Sequence, residues 1–437
     1  MEIYKITFNK NLTIDDDLGD FTISDVSGNL KEEALGDLVT FTVSLTAIPS
    51  SDVIINFSGN DSTEATIVNP TVTFNSTNWN IPQTINLQVV DDFIFDENQT
   101  STITGSVSSS SDASFTGAAD KSVDVITEDN EVVDIIVNVL DNLTSESGDT
   151  GSFEINLTTE PLSDVFIELT STNELEGVLS ASFISFNATN WNIPQVVTVN
   201  GVDDDPPVSD GAADYIIITG NVSSTDDNYG MLDGSTVDDV NMSNQDNDSP
   251  GIILTVLNDD FSTSESGDYV VVQFSLLSKP DGGESVTIPL SLDGPANEMD
   301  LSADSITILA DNWDNPSSNV VTITGIDELF ADGNQELILI TGDPTSVSPF
   351  YDAIGADDVS NPTLTNEDDD VAQVVFNLSD NVSENGTTSI LSVSLTSAIN
   401  TDVFLNFGVA DITELLINFS ELVFTKDNWN INQEIIV

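Results

Sequence analysis

Several kinds of side chain are missing from this sequence, and each absence excludes a class of site. The 437 residues include no cysteine, so there is no disulfide framework, no thiolate metal site and no cysteine nucleophile. They include no histidine, which removes the commonest general base and the commonest ligand of zinc, copper and iron. We therefore expect any metal that the chain binds to be held by oxygen atoms.

Positive charge is almost as scarce. Six lysines and no arginine stand against 76 acidic residues, giving a formal charge of −70. Nucleic acids and anionic lipids are bound through lysine and arginine, so we expect neither as a partner. Two carboxylates about 4 Å apart repel by roughly 4 kcal/mol at an effective dielectric constant near 20. Clusters of such groups therefore predict bound cations.

Long apolar runs are absent as well. No run approaches the roughly 18 residues of a membrane span, and no basic and then apolar signal segment follows Met1. We expect no membrane insertion in this segment, and a chain that is a piece of a longer protein. Apolar residues still make up 39% of the sequence, which is too many for a disordered acidic chain. The chain should fold with its charge outside.

What the sequence does contain is a pattern that occurs four times. An Asn-Trp pair follows a similar run of residues at Trp79, Trp191, Trp313 and Trp429, and the intervals are 112, 122 and 116 residues. Intervals of this size correspond to whole domains, so each unit can have a core of its own. We expect tandem units that touch end to end.

Apolar and polar residues alternate within each unit, as at residues 39–45, 153–157, 272–276 and 391–395. This alternation is typical of half-buried strands, and we find no convincing amphipathic stretch with the 3.6-residue period of a helix. The predicted fold class is all-β, as tandem two-sheet antiparallel sandwiches joined end to end.

Acidic clusters set the predicted boundaries, at residues 15–17, 128–130, 246–248 and 367–370. Aligning the repeats on these clusters gives repeats at 18–130, 131–248 and 249–370, and an incomplete repeat at 371–437. Residues 1–17 resemble the closing strand and linker of a preceding repeat. A fragment of a longer array explains such ends most simply. The alternative is a polymer, in which the leading strand of one copy completes the last repeat of the next copy by strand addition.

Carboxylates recur at four places in the repeat. The first place follows the opening strand: Glu33, Glu146, Glu265 and Glu384. The second lies fifteen residues before each tryptophan: Glu64, Glu176, Glu298 and Glu414. The third follows the strand after the tryptophan, and the fourth is the linker cluster. If the first, third and fourth places converge at one end of the sandwich, they supply the oxygen shell that calcium takes, whereas magnesium prefers to keep its waters. The alternative is the acidic, solvated surface of a salt-adapted protein.

Together these features resemble the Calx-beta domain, an Ig-like sandwich. The resemblance rests on Ser-Glu-Ser-Gly at 145–148 and 264–267, on Val-Asp-Asp at 90–92 and 202–204, and on the acidic linkers. A Leu-Thr-x-x-Pro turn at 45–49 and 157–161 adds to it. The Asn-Trp-Asn-x-Pro-Gln motif, at 78–83 and 190–195, is similar to repeats of very large bacterial surface proteins.

In Calx-beta domains calcium lies at one end of the sandwich, where the early glutamate, the Asp-Asp loop and the linker acids hold it. In the first repeat the resemblance implies the metal ligands Glu33, Asp91, Asp92, Glu128 and Asp129. In the second it implies Glu146, Asp203, Asp204, Asp246 and Asp248. In the third it implies Glu265, Asp327, Glu328, Asp368 and Asp369. The fourth repeat lacks its loop and linker.

The expected function is a calcium-stiffened, extracellular stalk or filament segment of a bacterial cell-surface adhesin. Each junction would carry carboxylates from two neighbouring repeats, and calcium would offset their repulsion. The alternative is an array of carbohydrate-binding modules in a secreted enzyme, with tryptophans as sugar platforms. We expect each tryptophan to pack in or beside the core instead. We also expect no enzymatic activity, because carboxylates repeated in every unit argue against a single active site.

Overall fold

The computed structural model describes residues 18–232, 234–257 and 260–437. Nearly all the regular structure in these residues is β-strand, and the helices are single turns of three or four residues. The predicted all-β class is therefore confirmed. The predicted closing strand at 1–17, with its acidic cluster at 15–17, lies outside the described residues. No helix in the described ranges is long and apolar enough to cross a membrane.

The first sandwich contains nine strands: β1 (Phe21–Ile23), β2 (Leu30–Lys31), β3 (Leu38–Leu45), β4 (Val53–Ser58), β5 (Ala65–Ile67), β6 (Thr71–Phe74), β7 (Gln83–Val89), β8 (Gln99–Ser110) and β9 (Lys121–Glu128). Its two sheets have the strand orders β1-β3-β7-β5 and β2-β9-β8-β4-β6. Strands β2 and β9 pair in parallel, so the first and last parts of the repeat meet at one end of the sandwich.

The second sandwich has the same arrangement: β10 (Ile135–Asp141), β11 (Leu143–Ser145), β12 (Thr150–Leu157), β13 (Val165–Ser171), β14 (Gly177–Leu179), β15 (Phe183–Phe186), β16 (Gln195–Gly201), β17 (Val208–Ser209), β18 (Ala213–Ser224), the turn α1 (Asp227–Gly230) and β19 (Val240–Gln245). Its sheets have the orders β10-β12-β16-β14 and β11-β19-β18-β13-β15. The short strand β17 belongs to neither sheet.

The third sandwich is formed by β20 (Ile252–Val256), β21 (Ser262–Ser264), β22 (Tyr269–Leu276), β23 (Lys279–Pro280), β24 (Val286–Asp293), β25 (Met299–Leu301), β26 (Ser305–Ile308), β27 (Val320–Gly325), β28 (Gln335–Thr341), β29 (Thr345–Ser346), the turn α2 (Pro349–Asp352) and β30 (Thr363–Glu367). The sheet orders are β20-β22-β27-β25 and β21-β30-β28-β24-β26, and β29 pairs with β24. Strand β23 pairs in parallel with β17.

The fourth sandwich has five strands: β31 (Val374–Leu378), β32 (Ile390–Leu395), β33 (Val403–Asn406), β34 (Glu421–Phe424) and β35 (Gln433–Ile436). They form a sheet with the order β31-β32-β35 and the pair β33-β34.

Alternating burial explains why these segments form sandwiches. In β3 every second residue is buried, and Phe41, Val43 and Leu45 all enter the core. A strand turns successive side chains to opposite faces, so a period of two buries one face and leaves the other to solvent. Each sandwich has its own cluster of buried apolar side chains.

The Asn-Trp pair makes the same turn in every sandwich. The tryptophan carbonyl accepts a hydrogen bond from the backbone N–H of a strand leucine, at 2.8, 2.9, 2.8 and 3.0 Å for Leu45, Leu157, Leu276 and Leu395. All four tryptophans pack against the cores, and Trp191 is buried. The expectation that each tryptophan packs beside the core is confirmed, and the turn explains why the motif recurs.

The backbone divides into two compact units, and the division does not follow the sandwiches. The first unit includes residues 18–144, 149–201 and 214–243, and the second includes 145–148, 202–213 and 244–437. The loops and linker at the acidic end of the second sandwich therefore belong to the second unit.

Candidate metal centres

Groups of three carboxylates converge at one end of each of the first three sandwiches. Within each group, the candidate ligand oxygens lie within 4.8 Å of one another. The groups are Glu32, Asp91 and Glu131; Glu146, Asp204 and Asp210; Glu146, Asp246 and Asp248; and Glu265, Asp327 and Asp369. Two groups share Glu146, so they form one larger centre. We call these the first, second and third acidic centres.

A buried glutamate is the fixed point of each centre. The side chains of Glu32, Glu146 and Glu265 are only 4%, 7% and 2% exposed. Each lies just beyond the short strand that pairs with the closing strand. Its backbone N–H donates to a closing-strand carbonyl, at 3.3 Å for Glu128, 3.0 Å for Gln245 and 3.2 Å for Glu367. The same backbone bond identifies these three glutamates as equivalent.

The linker wraps back onto this glutamate. The Oε2 atoms of Glu32, Glu146 and Glu265 accept the linker N–H of Asn130, Asn247 and Asp369, at 3.3, 2.9 and 3.3 Å. The preceding aspartate accepts the N–H two residues later, as Asp129 does from Glu131 at 2.8 Å, Asp246 from Asp248 at 2.6 Å and Asp368 from Asp370 at 2.8 Å. These turns place the linker acids in the centre.

The loop after β7, β16 or β27 is held by the same linker aspartate. One residue of this loop has a left-handed backbone conformation, and its N–H donates to the linker aspartate. The donors are Glu97, Gly211 and Gly333, at 2.8, 2.7 and 2.6 Å. The φ angles are 63°, 82° and 82°. Glycine adopts this conformation at no steric cost, whereas Glu97 is strained by roughly 1 kcal/mol or more. The preceding acid, which is Asp210 in the second centre, is thereby turned toward the other carboxylates.

The last linker acid carries an unsatisfied oxygen in all three centres. Within the described ranges, Oε2 of Glu131, Oδ2 of Asp248 and Oδ2 of Asp370 are buried and accept no hydrogen bond. A buried carboxylate oxygen without a donor is costly, and in native structures such a group calls for an explanation such as an ion. At three equivalent residues, such oxygens are suited to a positively charged partner.

Burial and mutual repulsion raise the pKa values of the buried glutamates. Burial raises the pKa of Glu32 to about 8, and its side-chain contact with Glu131 raises it too. Burial is the largest cause that raises the pKa values of Glu146 and Glu265 to about 7, and neighbouring acids add to the effect. Two charged oxygens 4.8 Å apart repel by roughly 3.5 kcal/mol at an effective dielectric constant near 20. Near neutral pH each centre must hold protons or a cation.

A further carboxylate borders the first and third centres. Glu64 and Glu298 are 3% and 5% exposed, and these are the acids fifteen residues before the tryptophan. Burial first, and then Asp96 and Asp92, raises the pKa of Glu64 to about 7. Burial, Asp332 and Asp368 raise the pKa of Glu298, whose Oε2 accepts no hydrogen bond in the described structure. The recurrence of this acid is visible in the sequence, but the predicted ligand set does not include it.

The equivalent Glu176 of the second sandwich is half-buried. Burial raises the pKa of Tyr215, and the nearby charge of Glu176 adds to this effect.

Two of the predicted ligands lie elsewhere. Glu33 is exposed, and Glu32 takes its place because Glu32 makes the backbone bond to the closing strand. Glu128 is the last residue of β9, and its carboxylate pairs with Lys31 at 3.0 Å and accepts from Asn29 at 2.7 Å. The ladder turns Glu128 toward these partners, and Asp129 is the true equivalent of Asp246 and Asp368.

The other predicted residues lie in or beside the centres. Asp203 accepts from Asn247 Nδ2 at 3.3 Å, and Asp92 accepts from the N–H of Ile94 at 2.8 Å. Oε1 of Glu328 is buried and unsatisfied in the described structure, and burial raises its pKa. The sequence prediction did not include Glu131, Asp210 or Asp370 among the ligands.

The expectation that each junction combines acids from two repeats needs correction. All carboxylates of the second and third centres come from one sandwich and its own linker. In the first centre Glu131 lies one residue beyond the predicted boundary at 130. The reason is the parallel pairing of the first and last strands, which brings both ends of one repeat together.

The donor set fits calcium. Only oxygen ligands are available, because the sequence has neither histidine nor cysteine. Calcium takes about six to eight oxygen ligands, tolerates irregular geometry and accepts bidentate carboxylates, whereas magnesium demands near-octahedral order and retains waters. Among the described residues 371–437 no comparable group of three carboxylates occurs, and both Glu384 and Glu414 are exposed.

No protein-family model and no curated protein matches this chain. Solved structures do match it. The D0-D1 domains of intimin are 13% identical, with a TM-score of 0.19, over 51% of this chain and 98% of that one. The calcium binding domain CBD12 of CALX1.1 is 13% identical, with a TM-score of 0.21, over 53% and 99%.

Domains 4–9 of the surface layer protein SbsC are 15% identical, with a TM-score of 0.20, over 82% of this chain and 48% of that one. At these identities and TM-scores the likenesses carry no argument about function. What this chain does must be inferred from its own residues.

Proposed function

We propose that this chain is a calcium-stiffened segment of an extracellular stalk or filament, carried by a bacterial surface adhesin. Its repeats are those predicted from the sequence, at 18–130, 131–248, 249–370 and 371–437. Calcium at the three acidic centres holds each linker against the end of its own sandwich. The chain acts structurally rather than as an enzyme.

One observation carries the proposal. The same backbone frame recurs three times, and each copy ends in a buried linker carboxylate oxygen that has no hydrogen-bond partner within the described residues. A generally acidic surface would not place its charges equivalently in three sandwiches. Nor would it bury them, because the carboxylates of a salt-adapted surface face solvent.

The loops explain how calcium would stiffen a junction. The loop that contributes Asp91 continues to Phe93, whose carbonyl accepts the N–H of Glu160 in the next sandwich at 2.7 Å. The Phe93 ring also contacts Trp191, with centroids 5.7 Å apart. Fixing the acids of this loop therefore fixes the segment that contacts the next sandwich.

Equivalent bonds occur at the later junctions. Lys279 N–H donates to Pro207 O at 2.8 Å, and Ala398 N–H donates to Leu329 O at 2.5 Å. These bonds use backbone atoms, so they can recur although the loop sequences differ. Calcium and the junction contact thus act on the same loop.

The test is to compare the full chain with calcium and with a chelator. With calcium we expect a higher melting temperature, because an ion that binds the folded form alone stabilises it by mass action. In small-angle scattering we expect a larger maximum dimension and a narrower range of dimensions with calcium than with the chelator. Unchanged melting and unchanged dimensions after chelation would overturn the proposal. If sodium chloride restores the melting temperature and the dimensions as fully as calcium does, the result would point to salt adaptation instead.

The carbohydrate-module alternative receives no support from the tryptophans. All four pack against the cores of their sandwiches, and none of them is an exposed side chain of the kind that a sugar platform needs. Strand addition between copies stays a prediction, and sedimentation of the intact chain at increasing concentration tests it.

A further inference from the structure

A groove on the second sandwich departs from the pattern of the other repeats. It has a volume of about 680 Å³ and is lined by residues of β13, β18 and the edge strands β14 and β15, and by the turns beside them. None of its lining residues belongs to the second acidic centre. It therefore needs an explanation other than calcium.

Two exposed aromatic rings line the groove together with the apolar side chains of Leu169, Val178 and Leu179. Phe166 is 42% exposed and Phe183 is 58% exposed, and their ring centroids lie 6.4 Å apart at an angle of 54°. They lie on adjacent strands, where Phe166 is opposite Ser185 and Phe183 is opposite Glu168. Single exposed apolar residues are common, but adjacent large ones in a concave surface indicate a binding site.

The other sandwiches provide an internal comparison, because the strand register is the same in all four. The positions equivalent to Phe183 hold Thr71, Ser305 and Glu421. The positions equivalent to Phe166 hold Ile54, Thr287 and Phe404. Three sandwiches thus form this strand pair without two aromatic rings. The strand pair of this fold therefore forms without these two rings.

Negative charge flanks the rings. Glu168 and Glu174 line the groove and are exposed, and the described residues that line it include no lysine. The chain as a whole carries a formal charge of −70. This field repels anionic glycans, nucleic acids and anionic lipids. Aromatic faces attract cations, and carboxylates form charge-assisted hydrogen bonds with lysine and arginine.

We propose that this groove binds a cationic segment of another protein, in which lysine or arginine alternates with apolar side chains. The apolar side chains and the aliphatic stems of the cationic ones cover Phe166 and Phe183. The cationic groups pair with Glu168 and Glu174. The site does not depend on calcium, so it adds a binding activity to the structural role proposed above.

The experiment measures the anisotropy of a fluorescent peptide of alternating lysine and leucine, titrated with the full chain at physiological ionic strength. A chain this acidic attracts any polycation, so the decisive result is the difference between variants. The double variant Phe166→Ile, Phe183→Thr carries the residues of the first sandwich, which folds with them. We expect it to bind at least about tenfold more weakly.

Two further variants separate the contributions. Glu168→Gln with Glu174→Gln should weaken binding about fivefold and reduce its salt dependence, without removing any apolar contact. The matched control is Phe404→Ile in the fourth sandwich, because Phe404 is also 58% exposed but lies outside the groove. We expect the control to bind like the unmodified chain.

Three results would overturn the proposal. Equal affinity of the unmodified chain and the phenylalanine double variant would mean that the peptide binds by general charge. Equal binding of a peptide with glutamate in place of lysine would exclude a cationic partner. The third result concerns a neutral oligosaccharide such as cellohexaose. If it binds the unmodified chain but not the phenylalanine variant, and the cationic peptide does not bind, the groove is a sugar site. Circular dichroism checks that each variant folds. If the phenylalanine variant does not fold, the affinity of the double glutamine variant relative to the unmodified chain decides.

Discussion

The second and third acidic centres share one backbone frame, and one of their differences is a linker side chain. In the second centre the Nδ2 group of Asn247 donates to Asp203 at 3.3 Å. In the third centre Asp369 holds the equivalent position, and its carboxylate lies within 4.8 Å of those of Glu265 and Asp327. The Asn247 amide gives Asp203 of the second centre a hydrogen bond from within the protein. The Asp369 carboxylate adds negative charge to the third centre.

The first centre resembles the second, because Asn130 Nδ2 donates to Asp91 at 3.1 Å. We therefore expect the same frame to depend on cations to different degrees. A centre with the amide has one internal donor for its loop aspartate. The third centre lacks that donor, so we expect it to depend more strongly on a cation. The expected effects on stability and binding decrease from the removal of all calcium to a change at one backbone angle.

Chelation should destabilise the third centre most. A site held at about a hundred times its Kd gains roughly 2.7 kcal/mol from its ligand, and that stabilisation disappears with the ion. Hydrogen exchange with mass spectrometry compares peptides covering 363–370 with peptides covering 240–248. We expect a larger loss of protection in the first of these ranges, and an equal loss in both would remove the distinction between the centres.

Exchanging the linker side chains should exchange the behaviour. Asp369→Asn should weaken calcium binding at the third centre by about tenfold and stabilise its metal-free form, whereas Asn247→Asp should do the opposite in the second centre. Calorimetric titration and melting in chelator measure the two effects. The control is Asn192→Asp at an exposed position. If both linker variants behave like this control, the amide and the carboxylate are equivalent.

Adjacent glutamates in the first sandwich sharpen the assignment. Glu32→Gln should weaken calcium binding at the first centre by about tenfold or more, because the buried carboxylate is lost from the site. Glu33→Gln removes an equal charge one residue away, from an exposed side chain, and should change the affinity less than twofold. Calorimetry on both variants decides. A larger loss of calcium affinity in Glu33→Gln than in Glu32→Gln would identify Glu33 as the ligand.

The stability of the metal-free protein should fall as pH rises from about 5 to 8. The pKa of Glu32 is raised to about 8 and those of Glu146 and Glu265 to about 7, so in this range the folded form binds more protons than the unfolded form. Stability is then greatest at the acidic end and is lost as these groups ionise. Melting in chelator across this range measures the slope. With calcium present we expect the slope to shrink or reverse, because calcium competes with the protons.

The smallest effect concerns the left-handed loop residue. Glu97→Gly should stabilise the first sandwich by about 1 kcal/mol, because glycine adopts φ near 63° without strain. Glu97→Gln removes the charge but keeps the strain, so it isolates the backbone contribution. The reciprocal change Gly333→Ala, whose added Cβ would meet open space, should cost a similar amount. Chemical denaturation measures all three, and equal stability of the Gly and Gln variants would contradict the strain.

Much of the fold could be predicted because its causes are local. Alternation in 39–45 fixes which face of β3 is buried, and the Asn-Trp pair recurs because its turn bonds to a leucine on the neighbouring strand. Glu146 and Glu265 were found because Ser-Glu-Ser-Gly marks their turn. These features depend on residues that are close together in the sequence.

The remaining site residues depend on strand register, which letters alone do not show. Lys31-Glu32-Glu33 offers two glutamates, and a backbone bond to residue 128 decides between them. The sequence alignment makes Glu128 equivalent to Asp246, but the pairing of β2 with β9 places Glu128 beside Lys31. A shift by one residue on a strand moves a side chain to the opposite face.

The most direct test is an anomalous difference map from crystals grown with millimolar calcium. We expect peaks at about 2.3–2.6 Å from the carboxylates of Glu32, Glu146 and Glu265, and no peak beside Glu384 in the fourth sandwich. Well-ordered carboxylates without any peak at these three glutamates would contradict the claim that calcium holds the linkers in place.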